Sequence, residues 1–451
     1  MKIIILGAGR TGCSVATNLA KEGNDIVVVD INSARLRELQ DSIDIATVIG
    51  SGTFPDSLER ANTQDADLLI SVLPRDEDNM VACQIAWALY QPRFIIARIR
   101  NIHYLDHPEI FNKDNIPIDA LISPETLVTK YVQNLIQYPR VRQLHDFQNN
   151  SLKLVLLDVE AETEATNTTI NALSMSLPDI LWLGLLDKGV LIPFSDKTSI
   201  LEANNRVLFL VPEEKLRDAV DLFQSKIKPY TRIIIAGGGH VGKRLAVRLQ
   251  DNYKVKIIEK KPKRARCIAE NLERTMVLNA DATDPDLLID EGISNSDVFC
   301  ALTSSDEANI LSSMMAKRLG VKKTICLVDK AAYLDMIRTS VIDTVFSPEK
   351  ITAANILRYV RKGVINICPL HGTSLEVLEI IVKGEQETSR VVGRKISHLI
   401  LPNEVVIGAI IRDDTALNFN KETIIESGDR IIMVIPIKQS AEVEKYFQVL
   451  A

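Results

Sequence analysis

Gly7, Gly9 and Gly12 stand at GxGxxG spacing, directly after the apolar run Ile3–Leu6. That spacing suits phosphate binding. The first glycine permits a tight turn, the second lets the backbone approach a pyrophosphate, and the third lets helix and strand pack closely. The helix N-terminus that follows offers free N–H groups to phosphates. Asp30 closes the next apolar run, where a carboxylate can accept hydrogen bonds from a ribose diol and repel a 2′-phosphate. The same set recurs as Gly237, Gly239, Gly242 and Glu259. NAD or another adenine nucleotide is the expected ligand.

Other residues add to this chemistry or fail to. Arg98 and Arg100 close the run Phe94–Ala97 and should point into a crevice at the strand ends, where a guanidinium suits a polyphosphate. Val328 and Lys330 occupy the matching places in the second half, so Arg-dependent chemistry belongs to the first site. Lys260, Lys261, Lys263, Arg264 and Arg266 follow Glu259 and read either as phosphate neutralisers or as a solvated helix start. His103 and His107 are four apart, but Pro108 follows and no carboxylate pair completes a metal site. The six cysteines form no CxxC pair and read as buried, reduced thiols. Ser-His-Asp, HExxH and Walker A patterns are absent from the sequence. No metal is expected, and no catalytic residue.

The elements that must position these groups are legible as a duplication. Lys2–Gly12 reads KIIILGAGRTG and Arg232–Gly242 reads RIIIAGGGHVG. Asp76-Glu77-Asp78-Asn79 recurs as Asp306-Glu307-Ala308-Asn309, and Ser123-Pro124-Glu125 as Ser347-Pro348-Glu349. Gly184 and Asn205-Arg206 recur as Gly408 and Asp429-Arg430. The whole chain is one unit used twice. Within a unit, Ile3–Leu6, Ile26–Val29, Thr47–Ile49, Leu68–Val72 and Phe94–Ala97 read as buried parallel strands. Gly12–Lys21, Ala34–Ser42, Phe54–Ala61 and Asn79–Tyr90 read as the helices between them. The expected fold class is α/β: two tandem Rossmann-like, doubly wound parallel sheets, each followed by a small α+β domain. The expected limits are 1–138, 150–226, 230–362 and 373–451. Pro139–Asn150 and Lys362–Thr373 read as linkers, and the two halves meet near Lys226–Thr231. Strands are expected at Leu152–Val159 and Arg206–Val211, with a helix near Glu214–Gln224. The repeated Tyr104 and Tyr333 are expected in core packing. A balance of 53 basic against 59 acidic residues disfavours nucleic acid. No stretch is long enough for a spanning helix, and no signal peptide is read at the start.

These residues and the duplicated layout resemble the TrkA family, peripheral regulatory subunits of bacterial Trk potassium-uptake systems built from two RCK units. The resemblance covers essentially all 451 residues. It rests on Lys2–Gly12, Asp67–Ala82, Ala97–Asn101, Gly237–Gly242 and the turn Asn279-Ala280-Asp281-Ala282-Thr283. It implies a cytoplasmic homo-oligomeric ring, a tetramer, on the cytoplasmic face of the inner membrane. The ring would dock on a TrkH/TrkG-type potassium-conducting subunit and gate it through NAD/NADH or ATP/ADP. The implied first site holds Gly7, Ala8, Gly9, Arg10, Thr11, Gly12, Asp30, Ser51, Leu73, Pro74, Arg98 and Arg100. The implied second site holds Gly237, Gly238, Gly239, His240, Val241, Gly242, Glu259, Asp281, Thr303 and Ser304. Ser51 departs from the family's usual Asp, and Leu73-Pro74 from a more polar pair. An NAD-dependent oxidoreductase and a scaffold with vestigial sites are the competing readings.

Overall fold

The computed structural model describes every residue except 140, 148–150, 195–198, 224–228, 338–340, 362, 371–372, 403, 418 and 450–451. Gln224 of the expected helix, parts of the two expected linkers and part of the expected junction between the halves therefore lie outside the described residues. The first parallel layer runs β1 (Lys2–Leu6), α1 (Arg10–Lys21), β2 (Asp25–Asp30), α2 (Ser33–Ser42), β3 (Ala46–Ile49), α3 (Pro55–Arg60), β4 (Leu68–Ser71), α4 (Asp76–Tyr90), β5 (Phe94–Arg98), α5 (Ile102–Leu105) and β6 (Ala120–Ile122). α6 (Pro124–Gln137) leads out of it to β7 (Val141–Phe147), β8 (Leu152–Asp158), α7 (Ile170–Ser176), β9 (Leu181–Asp187), β10 (Val190–Pro193), β11 (Arg206–Pro212) and α8 (Leu216–Asp221).

The second parallel layer is β12 (Arg232–Ala236), α9 (His240–Leu249), β13 (Lys254–Ile258), α10 (Pro262–Asn271), β14 (Met276–Leu278), α11 (Pro285–Asp290), β15 (Val298–Ala301), α12 (Asp306–Arg318), β16 (Lys323–Leu327), α13 (Ala331–Ile337) and β17 (Thr344–Phe346). α14 (Pro348–Val360) leads to β18 (Val364–Pro369), β19 (Leu375–Ile381), β20 (Val406–Arg412), β21 (Thr415–Ala416), β22 (Arg430–Pro436) and α15 (Ser440–Phe447).

The two parallel sheets share one order, β3-β2-β1-β4-β5-β6 and β14-β13-β12-β15-β16-β17. The order reverses beside β1 and β12, which opens a crevice at the carboxyl ends of those strands. The apolar runs form these strands because both faces are covered by helices. Ile3 and Ile5 face one layer of helices, and Ile4 and Leu6 face the other. The two smaller sheets are antiparallel, β10-β9-β11-β8-β7 and β18-β19-β22-β20-β21. They pack face to face through Leu154, Leu156, Leu208 and Leu210 against Val377, Ile411, Ile432 and Val434.

Two expectations need correction. The segments read as linkers contain β7 and β18, the edge strands of the two antiparallel sheets. Their polar residues find partners across the halves. Gln143 Nε2 donates to the carbonyl of Pro369 at 2.7 Å, and His145 Nε2 lies 3.0 Å from Asn366 Oδ1. Tyr333 packs half-buried against the core of the second parallel layer, as expected, whereas Tyr104 is half-buried outside any core cluster; their hydroxyls donate to Glu307 and Glu77.

The halves also exchange a helix. Val128, Val132, Leu135 and Ile136 of α6 are buried in the second parallel layer, among Ile233, Leu245 and Leu249. Ile356 and Val360 of α14 are buried in the first, among Ile3, Val15 and Leu19. Lys323, on a strand of the second sheet, donates to the carbonyls of Leu135 at 2.9 Å and Pro139 at 2.8 Å. It thereby satisfies free carbonyls at the negative end of α6. The exchange brings the two crevices face to face.

Candidate functional site

Each glycine turn is built by sterics visible in the backbone. Gly7 has φ +108° and Gly237 φ +105°, a region glycine alone enters readily. A Cβ on Gly12 would lie 1.8 Å from the Gly7 carbonyl oxygen, and one on Gly242 2.0 Å from that of Gly237. Those two positions must be bare for helix and strand to meet. A Cβ on Gly9 or Gly239 would meet nothing within 4 Å. Bareness at this middle position serves the open side of the turn, where a ligand would approach.

The acids at the ends of the second strands hold the turns in place. Asp30 accepts from the amide of Ala8 at 2.6 Å and from that of Asn32 at 2.7 Å. Glu259 accepts from the amides of Gly238 at 2.9 Å and Lys261 at 2.7 Å. A Cβ on Gly238 would lie 2.2 Å from Ile268 Cδ1 and 3.2 Å from Glu259 Oε2, so this position of the second turn is crowded from two sides.

The repeated Asp-Glu-x-Asn segment is a brace behind the crevice. Asn79 Oδ1 accepts from the amide of Leu73 at 2.7 Å, while its Nδ2 donates to the carbonyls of Leu73 and Arg98. Asn309 does the same for Thr303 and Leu327. Asp76 accepts from the amides of Arg100 and Asn101, and Asp306 from those of Asp329 and Lys330. These side chains fix the loops after the fourth and fifth strands of each parallel sheet, which carry several expected site residues.

The expectation was two separate sites. The structure has both turns opening onto one cleft of about 930 Å³ between the halves. From the first half, Gly7, Gly9, Arg10, Thr11, Asp30, Pro74, Arg98 and Arg100 line it. From the second, Gly237, Gly239, His240, Val241, Glu259, Asp281, Thr303 and Ser304 line it. Ala8, Gly12, Gly238 and Gly242 form the turns from behind. Ser51 and Leu73 do not line the cleft. The Ser51 hydroxyl pairs with Thr53 at 2.8 Å, and Leu73 presents its backbone to Asn79 and Arg98. Arg35, Glu125 and Asp329 also line the cleft and were not expected there. Asp329 escaped notice because its function depends on the other half. Its carboxylate pairs with Arg10 Nη1 at 2.8 Å, linking the first phosphate turn to the end of β16.

Adjoining the cleft, a smaller cavity of about 160 Å³ is walled by Arg10, Arg98, Glu125, Asp329 and Glu349. Arg98 donates to the carbonyl of Leu73 at 2.6 Å, while its buried Nε has no hydrogen-bond partner. Burial lowers its pKa, helped by Arg100. Burial raises the Glu349 carboxyl to about 7, with Asp329 and Asp306 adding to the shift and Arg10 opposing it. Between about pH 4.5 and 7 the folded protein therefore keeps a proton that the unfolded chain loses. Its stabilising effect is complete below the lower value and disappears as pH rises through 7. Glu349→Gln should raise the Tm by a few degrees at pH 8 and leave it nearly unchanged at pH 5, as followed by calorimetry. Equal shifts at both pH values would refute the assignment.

Among the described residues no group of three or more His, Cys, Asp and Glu is placed to hold a metal, and no helix is long and apolar enough to cross a membrane. The cysteines are free, but they are not uniformly buried: Cys267 is exposed and Cys13 half-buried.

Comparison with known proteins agrees with this architecture. The TrkA-N domain family matches residues 3–124 and 233–348, and the TrkA-C domain family matches 385–448. A Trk system potassium uptake protein TrkA from Vibrio alginolyticus is 41% identical, covering 99% of both chains. One from Haemophilus influenzae is likewise 41% identical with 99% coverage of both. Among solved structures, the RCK domain of GsuK has a TM-score of 0.63 at 19% identity, covering 99% of this chain and 94% of that one. The GsuK channel bound to NAD has the same TM-score and identity, with 78% of that chain covered. With both halves matched and full-length relatives at this identity, the chain belongs to the TrkA family of Trk system potassium uptake proteins.

Proposed function

We propose that this chain is the regulatory subunit of a Trk-type potassium-uptake system and senses an adenine nucleotide, NAD(H) or ATP/ADP, without turning it over. The observation that carries this reading is the single cleft. Both phosphate turns open onto it, and the Arg10–Asp329 pair crosses it. A ligand seated there touches both halves, so it favours one relative placement of them over another. The relatives' names supply the potassium system, and solved GsuK structures are described as bound to NAD and to ADP. In the ring reading, homo-oligomers sit on the cytoplasmic face of a membrane-embedded TrkH/TrkG-type subunit and transmit the change to its gate.

The oxidoreductase alternative needs an acid or base beside the bound cofactor. Asp30 and Glu259 are occupied with backbone amides of the turns, the work of struts rather than of proton carriers. Calorimetric titration with NAD, NADH, ATP and ADP tests the sensing reading. We expect binding by at least one of them, weakened tenfold or more at one site in Asp30→Ala. Binding by none of the four overturns it, and nicotinamide reduction coupled to a substrate would restore the enzyme.

A further inference from the structure

The two phosphate turns share a backbone but differ in the charge around their acids. After Asp30 come Ile31 and Asn32, both uncharged. After Glu259 come Lys260 and Lys261, and both line the cleft together with Arg264. In sequence such a run reads more often as a solvated helix start. Three of its cationic residues line the cleft.

Glu259 itself is withdrawn. It is only 4% exposed and sits beneath Gly238. One carboxylate oxygen accepts from the amide of Lys261, and the other from the amide of Gly238 and from Arg264 Nη1 at 3.3 Å. Asp30 is half-buried and accepts from two amides. Beside the end of the second strand, the second side of the cleft carries Lys260, Lys261 and Arg264 with Glu259 and Asp281, whereas the first carries Arg35 with Asp30; the other cations of the first side, Arg10, Arg98 and Arg100, belong to the turn and to the end of β5 and the loop after it. Lys260 pairs with Asp281 at 2.7 Å, and its side chain is 78% exposed.

The residue at the end of the second strand of a GxGxxG unit faces the ribose, and an arginine beside it accommodates a ribose phosphate. We propose that the second turn selects an adenine nucleotide carrying a phosphomonoester on its ribose, while the first takes a free ribose diol. This rests on the nucleotide-sensing reading above. The two halves would then report different nucleotides into one cleft. The phosphate could stand at the 2′ position, as in NADPH, or at the 3′ position, as in coenzyme A. Arg264, Lys260 and Lys261 are the specificity-determining residues, because charge-assisted hydrogen bonds to phosphate are the strong ones.

The test is calorimetry on the full chain with 5′-AMP, 2′,5′-ADP and 3′,5′-ADP. One of the two diphosphates should bind about tenfold tighter than 5′-AMP, at one site per chain, and which one it is identifies the position of the phosphate. Arg264→Gln should reduce that preference to near unity. Arg266→Gln, an equal charge change on the same helix but outside the cleft, should preserve it. Thermal unfolding of both variants guards against misfolding. Equal affinities for all three probes, or equal losses in both variants, would overturn the proposal while leaving nucleotide sensing intact. No binding of any probe would overturn the proposal as well, while the sensing reading falls only if NAD, NADH, ATP and ADP also fail to bind.

Discussion

Gly12→Ala should lose nucleotide binding at the first turn and several kcal/mol of stability, whereas Gly9→Ala should lose binding alone. A methyl group on Gly12 would sit 1.8 Å from a backbone carbonyl, which has no rotamer to yield. Relief requires α1 to move off β1, disturbing Val15, Ala16 and Leu19 in the core beneath. Overpacking of this kind costs about 1–3 kcal/mol and more where backbone must shift. Gly9 has φ −75° and ψ −179°, extended backbone that any residue adopts, and open space around its Cβ position. Its alanine variant should unfold within about 0.5 kcal/mol of the wild type. It should nevertheless bind at least tenfold more weakly, because the methyl projects where a phosphate must approach. Denaturant unfolding and nucleotide titration of the two variants separate the effects. Wild-type binding by Gly9→Ala would mean that the turn does not hold a phosphate.

Arg361→Met should destabilise the protein by about 3–5 kcal/mol near pH 8, and by less near pH 5. Arg361 follows α14, and its side chain is 7% exposed. It pairs with Glu22 of the first parallel layer and with Glu376 and Glu444 of the second antiparallel domain. Removing it strands three carboxylates with little water to solvate them. Burial already raises Glu444 to about 7, with Glu22 and Glu376 adding to the shift and Arg361 opposing it. Below that value Glu444 takes up a proton and needs the arginine less, so the penalty falls as pH falls. Urea unfolding at the two pH values measures it. A penalty independent of pH would show that the guanidinium acts through packing rather than charge.

What could be read from the sequence was what is local. The glycine spacing, the acids Asp30 and Glu259 and the alternation of apolar runs each depend on neighbours within a few dozen residues. What could not be read depends on the other half of the chain. Val141–Phe147 reads VRQLHDF, too polar for a core strand until Gln143 and His145 meet Pro369 and Asn366 more than 200 residues away. Asp329 is an unremarkable acid until Arg10 reaches it. Ser51 and Leu73 were carried over by resemblance and stand outside the cleft, because an Oγ so close to the backbone turns to Thr53 and the Leu73 side chain packs inward. Arg98 and Arg100 line the cleft, since strand ends of a doubly wound sheet admit few other directions.

The exchanged helices α6 and α14 bear on how such a chain evolves. A half standing alone would need a second copy of itself to cover each parallel layer, and any change in one copy would appear in both. Fusion releases that constraint. A mutation can then alter one side of the shared cleft without altering the other, as the differing residues at equivalent positions show: Arg10 and His240, Arg98 and Val328, Asp30 and Glu259. The joined chain behaves as a heterodimer whose partners can never separate, free to divide labour between two halves that began alike.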